Sequence, residues 1–184
     1  MKIAEGRPES AEGRLPREMR VYDFLDGLKL SYERADHPPA ASMEDCAVIG
    51  RELGAPICKN LFLRNQQGTK FWLLLMPGDK PFRTKELSAQ IASSRLSFGD
   101  PGDMLRLLDT EPGAASVLSL MNDSGGEVAL LIDGDVLADP YFGCHPCVNT
   151  SSVRLKTRDL TETVLPALGR RPQIVELRGE EGGE

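Results

Sequence analysis

Residues 57–76 read ICKNLFLRNQQGTKFWLLLM, and this stretch decides the fold class of the chain. Two β-rich runs, Ile57–Arg64 and Lys70–Met76, flank Asn65–Gly68, a short loop that contains a glycine. Such runs around a short Gly-containing loop are typical of a β-hairpin. The stretch therefore predicts two neighbouring antiparallel strands.

The segments on either side of the hairpin show helical and strand patterns. Helices are predicted where apolar residues recur at helical spacing behind a capping residue, and strands where short apolar runs end in turn residues. The predicted helices cover Val21–Leu28, the run from Ser42 to Leu53, and the runs that begin at Thr84, Asp100 and Thr157; the predicted strands cover Leu30–Ala35, Val128–Ile132, Val153–Leu155 and Ile174–Leu177. Because these elements do not follow strict βαβ alternation, we expect an α/β fold, with a mixed, largely antiparallel central sheet surrounded by helices.

Length and composition are those of one globular domain. The chain has 184 residues, of which 40% are hydrophobic, and this is enough for a single core. The termini, residues 1–16 and 178–184, contain few apolar residues and are predicted to be disordered tails around a domain of residues 17–177. No apolar run approaches the roughly 18 residues of a membrane span, and no secretory signal is recognisable. These features predict a cytoplasmic protein without a membrane segment.

Charge and cysteine content narrow the functional classes. The formal net charge of −6 argues against a broad basic face that holds duplex nucleic acid by counterion release. Any contact with RNA is therefore expected to be local. Four cysteines without an export signal indicate reduced thiols rather than a disulfide scaffold.

A lysine and an asparagine, Lys59 and Asn60, lie within the first hairpin strand. Lysine is rarely buried unless it is paired, so its presence in an apolar strand suggests either a functional cation or an edge-strand lysine that opposes aggregation. Strand periodicity places Lys59 on one face of the sheet and Asn60 on the other.

The segment Tyr141–Thr150 contains His145, one of only two histidines. A histidine between aromatic residues and a proline can serve as a hydrogen-bond donor, a proton shuttle or a ligand. A loop histidine with a structural partner is the alternative. The other histidine, His37, precedes two prolines and is predicted to lie in a surface loop, with less weight as a functional residue.

Cys144 and Cys147 have the CxxC spacing of redox and metal sites. A redox pair normally opens a helix, whereas Pro146, Val148 and Thr150 favour an extended strand. A zinc site would need a second well-spaced pair, which the chain lacks. We therefore interpret these cysteines as small core residues and predict neither a metal nor a cofactor.

A turn of small residues follows the helix that begins at Asp100. It comprises Gly113, Ala114, Ala115 and Ser116 after Glu111-Pro112. Small side chains let the backbone approach a ligand closely, so its N–H groups could face an anion or a developing oxyanion. An ordinary turn is the alternative interpretation.

In chain order, these segments resemble one family: the free-standing YbaK-like proteins, which are similar to the editing insertion domain of bacterial prolyl-tRNA synthetase. The resemblance extends from about Val21 to Leu177. It rests on His37-Pro38-Pro39-Ala40, Lys59-Asn60-Leu61-Phe62-Leu63-Arg64, Lys85-Glu86-Leu87, Leu96-Ser97-Phe98, Pro112-Gly113 followed by Asn122-Asp123, and His145-Pro146 with Asn149-Thr150. The most similar subgroup is the Ala-tRNA(Pro) deacylases, including the PrdX-like proteins.

The resemblance implies a YbaK-like fold and hydrolysis of mischarged tRNA(Pro), above all Ala-tRNA(Pro), by an ordered water without metal or cofactor. Cys-tRNA(Pro) deacylation and a non-catalytic tRNA- or synthetase-binding role are the alternatives. The implied partners are the tRNA(Pro) acceptor end and prolyl-tRNA synthetase. The implied catalytic residues are Lys59, Gly113 and His145, and the implied substrate-binding residues are Asn60, Ala114, Ala115, Ser116, Asp123, Asn149 and Thr150.

The implied chemistry suits these residue types. An aminoacyl ester is already reactive, so positioning a water and stabilising the oxyanion can suffice without a Ser or Cys nucleophile. The chain departs from the family at one position, because Val117 stands where the family loop, Gly-x-x-x-Pro, has proline. We therefore expect the loop geometry, and with it the rate or amino-acid selectivity, to differ.

Overall fold

The computed structural model describes residues 1–179, which form nine strands and several helices. The strands are β1 (Lys2–Glu5), β2 (Glu33–Asp36), β3 (Lys59–Asn65), β4 (Phe71–Met76), β5 (Leu96–Phe98), β6 (Val128–Asp133), β7 (Tyr141–Cys144), β8 (Ser151–Lys156) and β9 (Gln173–Val175). The helices are α1 (Pro16–Gly27), α2 (Met43–Leu53), α3 (Thr84–Gln90), α4 (Pro101–Leu108), a 3₁₀ helix (Val117–Asn122), α5 (Gly134–Ala138), and a continuous segment of α6 (Thr157–Asp159), a π-helical turn (Leu160–Val164) and α7 (Leu165–Ala167).

The strands form two sheets. The first has the order β1-β2-β8-β7 and is antiparallel throughout. The second has the order β5-β3-β4-β6-β9, in which β3 is antiparallel to both neighbours and β6 is parallel to both of its own. The predicted α/β class with largely antiparallel pairing is confirmed, although the strands divide into two sheets instead of one central sheet.

The predicted hairpin is β3 and β4, in register from Lys59 opposite Met76 to Arg64 opposite Phe71. The side-chain oxygen of Asn65 closes the loop by accepting hydrogen bonds from the backbone of Thr69 and Lys70. Alternate β4 residues face two cores: Leu73 and Leu75 belong to the larger, and Leu74 and Met76 to the smaller. Full burial of each such side chain contributes about 1.5–3 kcal/mol, so β4 anchors the fold from both faces.

The two sheets meet at Gly143 of β7, which forms a parallel bridge with Ile57 just before β3. The N–H of Gly143 donates to the Pro56 carbonyl at 2.8 Å, and its carbonyl accepts from Cys58 N at 3.0 Å. A Cβ at this position would collide with the Ile57 side chain. The glycine thereby allows a close approach that brings the start of β3 beside the end of β7.

The capping predictions hold at two of four helices. The side chains of Ser42 and Asp100 accept hydrogen bonds from the third residue of their helices, as expected for N-caps. Thr84 and Thr157 instead stand one residue inside their helices. In the described part of the chain, no helix is both long and apolar enough to cross a membrane.

Two further sequence predictions need correction, and one strand was missed. Residues 1–16 were expected to be disordered, but β1 pairs with β2, and Arg14 forms ion pairs with Glu18 and Asp36. Backbone pairing and ion pairs do not require apolar residues, so composition does not reveal them. The strand expected around residues 146–150 is a loop after β7, and β5 was not predicted. Of the predicted tail 178–184, residues 180–184 lie outside the described residues.

Candidate active site

Asn60 connects β3 to the small-residue loop. Its Oδ1 accepts a hydrogen bond from the backbone N–H of Val117 at 2.9 Å, and its Nδ2 donates to the Cys58 carbonyl at 3.2 Å. Because both ends of the amide are engaged, the side chain is held in one orientation. Asn60 thus fixes the C-terminal end of the loop that contains Gly113–Ser116.

The backbone of this loop leaves two donors unused. Gly113 has φ +85°, a left-handed conformation that glycine adopts without strain, and Ala114 N donates to the Glu111 carbonyl. Ser116 N donates to Ser119 Oγ in the capping box of the 3₁₀ helix. Within residues 1–179, the N–H groups of Gly113 and Ala115 donate to no acceptor. Unpaired backbone donors of this kind are what an oxyanion hole requires.

The loop after β7 lies against the small-residue loop. A Cβ on Gly113 would lie 4.0 Å from Nδ2 of Asn149, and the Asn149 carbonyl accepts from Ala40 N at 2.9 Å. The carbonyl of Thr150 accepts from His37 N at 3.0 Å. Residues 37–40, 113–116 and 145–150 therefore come together around Asn149.

His145 is a buried histidine within this cluster, with 7% of its surface exposed. Its Nδ1 lies 2.9 Å from the Ser151 carbonyl, which only accepts, so Nδ1 carries the hydrogen. Burial lowers the pKa of His145, and the nearby His37 lowers it further, although the hydrogen bond to Ser151 opposes the shift. His145 is consequently a neutral imidazole at physiological pH.

Lys59 points to the other side of the sheet, as strand periodicity predicted. It is half-buried, and its Nζ donates to the Lys80 carbonyl at 2.7 Å, in the connection between β4 and α3. Lys80 is itself held by ion pairs with Asp133 and Asp135, both at 2.7 Å. No hydrogen bond in the described region joins Lys59 to the loops at Asn149. Lys59 is linked to the cluster only by its chain neighbour Asn60, which contacts Val117.

Asp123 has a different position from the other predicted substrate-binding residues. Its buried carboxylate accepts hydrogen bonds from Glu127 N and Val128 N and pairs with Arg170 at 2.9 Å. These contacts fix the start of β6. They give no support to the predicted role of Asp123 in substrate binding.

A groove of about 770 Å³ lies beside the start of β3. Its walls are α2, residues 54–58, residues 77–79 and residues 136–142, and most of the side chains that line it are small or apolar. Neither Gly113 nor His145 lines this groove. Two of the residues that line the groove are close in sequence to the site. Cys58 immediately precedes Lys59, and Phe142 lies on β7 before His145.

The cysteines of the CxxC segment are buried. Burial raises the pKa of Cys144 to about 12 and that of Cys147 to about 11, and the Cys147 thiol lies 3.4 Å from Ser119 Oγ. Such thiols are protonated and poorly nucleophilic, which supports their interpretation as core residues. Among residues 1–179, no group of three or more His, Cys, Asp or Glu side chains is arranged to hold a metal ion.

The sequence prediction underestimated His37. The residue is half-buried rather than in a free surface loop, and its Nε2 lies 2.9 Å from Ser152 Oγ. Its ring centroid is 6.1 Å from that of His145. Its place in the resembling segment His37-Pro38-Pro39-Ala40 was the one signal that could have identified it.

The site therefore combines the unpaired backbone N–H groups of Gly113 and Ala115, the neutral imidazole of His145 and protonated thiols at Cys144 and Cys147, with Lys59 adjacent to it. The family model of the aminoacyl-tRNA editing domain matches residues 37–163, more than half of the chain. The chain belongs to this family. The predicted family and enzyme class, aminoacyl-tRNA deacylase, are thereby confirmed.

Relatives over nearly the whole length agree with this assignment. The prolyl-tRNA editing protein ProX of Acetoanaerobium sticklandii is 31% identical, over 83% of this chain and 93% of its own. Prolyl-tRNA synthetase associated domain-containing protein 1 of Xenopus laevis is 28% identical, over 89% and 97%. A solved structure presented as a candidate trans-editing enzyme for prolyl-tRNA synthetase has a TM-score of 0.67 at 19% identity, over 91% and 99%. This last similarity confirms the fold.

Proposed function

We propose that this protein hydrolyses the ester of mischarged tRNA(Pro) in trans and that Ala-tRNA(Pro) is its main substrate. The observation that carries the proposal is the hydrogen bond from Val117 N to Asn60 Oδ1, which fixes a loop with free N–H groups on Gly113 and Ala115. The name of the ProX relative supplies the prolyl class of tRNA. The proposed reaction takes place in the cytoplasm.

In the proposed reaction, a water molecule attacks the ester carbonyl and the N–H groups of Gly113 and Ala115 stabilise the developing oxyanion. A backbone donor in such a position contributes about 2.7–4 kcal/mol to the transition state. The neutral His145 is a hydrogen-bond acceptor at its other ring nitrogen and can orient a donor group of the substrate. No covalent intermediate is required, because the aminoacyl ester is already activated.

Lys59 is proposed to hold the 3′ end of the tRNA. An ammonium group has three donors, and only one of those on Lys59 is used by the Lys80 carbonyl. The remaining two can reach a phosphate or ribose oxygen. With a net charge of −6, the protein would make a local contact with the acceptor end.

Selectivity for alanine would follow from the size of the amino-acid pocket. A pocket too small for proline excludes the correct product sterically, as the second sieve does in editing. Cysteine is a closer competitor, because one additional group in a pocket changes the free energy by only about 1–3 kcal/mol. The substrate panel below therefore includes both amino acids.

The test measures deacylation of Ala-, Cys-, Ser- and Pro-tRNA(Pro) under single-turnover conditions. We expect rapid release of alanine and no release of proline. Faster release of cysteine would overturn the alanine assignment but retain the tRNA(Pro) editing function. The deacylase proposal fails if none of the mischarged substrates is hydrolysed with enzyme in excess. Repeating the panel with prolyl-tRNA synthetase present tests the predicted partner.

A further inference from the structure

A hydrogen-bonded chain joins the two histidines through Ser152. The Oγ atom of Ser152 lies 2.9 Å from His37 Nε2 and 3.2 Å from His145 Nδ1. The Nδ1 atom of His37 lies 2.8 Å from the Pro38 carbonyl, and that of His145 lies 2.9 Å from the Ser151 carbonyl. Each imidazole is therefore anchored at Nδ1 by a backbone oxygen.

The positions of the hydrogens follow from the chemistry of the partners. A carbonyl oxygen only accepts, so in the neutral form of each imidazole the hydrogen is on Nδ1. His37 Nε2 is then a lone-pair acceptor, and the Ser152 hydroxyl must donate to it. The oxygen of Ser152 in turn accepts from His145 Nδ1, which it shares with the Ser151 carbonyl. One arrangement of hydrogens satisfies every contact.

His37 thereby removes a competing hydrogen bond. Without it, the Ser152 hydroxyl could rotate and donate to His145 Nδ1, which would require the opposite tautomer of His145. In the observed arrangement, His145 Nε2 carries the lone pair. It has no partner within the described residues and is not sealed from solvent, unlike the unpaired Nε atoms of Arg17 and Arg154.

We propose that His37, acting through Ser152, is a positioning residue that holds His145 in the Nδ1–H tautomer and so keeps Nε2 as an acceptor for the substrate. Only the last part of this role, in which His145 Nε2 accepts a hydrogen bond from the substrate, rests on the proposed deacylase function. The tautomer itself is a property of the free protein. The two parts can therefore be tested separately.

The first experiment determines the tautomer by ¹⁵N NMR of the imidazole nitrogens at about pH 8.5, well above the ordinary histidine pKa of about 6.5. The chain has only two histidines, so the His37→Ala variant gives the spectrum of His145 alone. We expect the wild-type His145 to show a protonated Nδ1 and an unprotonated Nε2. In His37→Ala, the two shifts should move towards each other as the Nε2–H tautomer becomes populated.

Ser152→Ala and the double variant His37→Ala/Ser152→Ala provide the matched comparison. Removing the Ser152 hydroxyl leaves only the Ser151 carbonyl at Nδ1, so both variants should show the Nδ1–H tautomer. If His37 had only a structural role, additional removal of the Ser152 hydroxyl would not restore the Nδ1–H tautomer of His145. The inference is overturned if His37→Ala leaves the His145 shifts unchanged, or if the folded double variant does not restore them.

The second experiment measures deacylation by the same variants. We expect His37→Ala to lower kcat about tenfold with KM changed by less than about twofold, because the tautomer affects the reacting complex more than binding. The double variant should recover the kcat of Ser152→Ala. Altered NMR shifts with unaltered kcat would overturn the catalytic part alone. A wild-type protein without deacylase activity would contradict the proposed function, and the NMR comparison would still decide the tautomer.

Discussion

The side-chain oxygen of Asn60 accepts a hydrogen bond from the backbone N–H of Val117 across 2.9 Å, 57 residues apart in the chain. This bond ties the first strand of the hairpin to the loop that begins at Gly113. The family resemblance implies a proline at the position of Val117, and a proline has no N–H to donate. In this protein the valine N–H is present, and the side chain of Asn60 holds the loop by accepting its hydrogen bond.

Replacing Asn60 with alanine should impair catalysis more than folding. The substitution leaves the buried N–H of Val117 unpaired, at a cost of about 1–3 kcal/mol, and frees the loop that carries Gly113. A shift of about 1 Å in a positioned group can lower a rate by about 10²-fold, so we expect kcat to fall about 10- to 100-fold. Asn122→Ala is the matched control, because it removes the hydrogen bond that the Asn122 side-chain amide donates to the Leu108 carbonyl at the far end of the same 3₁₀ helix. Equal losses of activity in both variants would contradict the role assigned to Asn60.

Introducing the family proline by Val117→Pro should destabilise this protein. Proline is compatible with the first position of a helix and can stabilise by about 0.4–1 kcal/mol through the unfolded state. The lost hydrogen bond to Asn60 costs about 1–3 kcal/mol, which is the larger effect. Urea unfolding should show a lower midpoint for Val117→Pro than for Val117→Ala if the N–H of residue 117 is what matters. A proline variant as stable as the wild type would refute this explanation.

Replacing Lys59 with alanine should lower kcat/KM. A hydrogen bond to a charged group contributes about 1.5–3 kcal/mol, which corresponds to about 10- to 100-fold. Lys59→Arg should recover part of the loss because it retains the charge. Lys70→Ala, at an exposed position of the same hairpin, serves as the control for a general loss of positive charge. The same deacylation rate in Lys59→Ala and Lys70→Ala would show that Lys59 is an ordinary strand lysine.

The buried His145 should make stability depend on pH below the ordinary histidine range. Burial lowers its folded-state pKa below 6.5, so above 6.5 both states are neutral and the stability is fully present. As the pH falls below 6.5, the unfolded state binds a proton that the folded state resists, and the free energy of unfolding decreases. Urea unfolding at about pH 7.5 and about pH 5.5 measures the change.

The His145→Asn variant is the control for this pH dependence, since it retains a side-chain N–H near the position of Nδ1 but does not titrate. Its loss of stability between the two pH values should be smaller than that of the wild type. Carboxyls with a lowered pKa, such as Asp36, lose their contribution only below 3.8 and do not interfere. An unchanged pH dependence would exclude His145 as its source.

The CxxC pair should be dispensable for deacylation. Because burial raises the pKa of Cys144 and Cys147 to about 12 and about 11, a thiol reagent should react slowly with the native protein and rapidly after unfolding. Cys144→Ser/Cys147→Ser should retain deacylase activity, since the hydroxyls can contact Ser116 and Ser119 as the thiols do. Loss of activity in a folded double variant, or stoichiometric metal in the purified wild type, would favour the redox or metal alternative.

Local pattern was sufficient to predict much of the fold. The residues around Asn65–Gly68 determine the hairpin, and Ser42 and Asp100 cap their helices, because these features depend on neighbours within a few positions. Period-2 alternation in β3 correctly separated Lys59 from Asn60. The division into two sheets was not predictable in this way, since it depends on which distant strands pair, as β2 does with β8.

By itself, the sequence determined most of the helices, the β3–β4 hairpin, the family and the residue types of the site, because local propensities and ordered motifs depend only on residues close together in the chain. Only the tertiary structure decided three contacts. Val117 N donates to Asn60, the Asp123 carboxylate accepts from the backbone at the start of β6, and His37 is joined to His145 by hydrogen bonds through Ser152. Each of these contacts joins segments from different elements. Their geometry is set by the packing of two sheets against a shared core, and no local pattern encodes it.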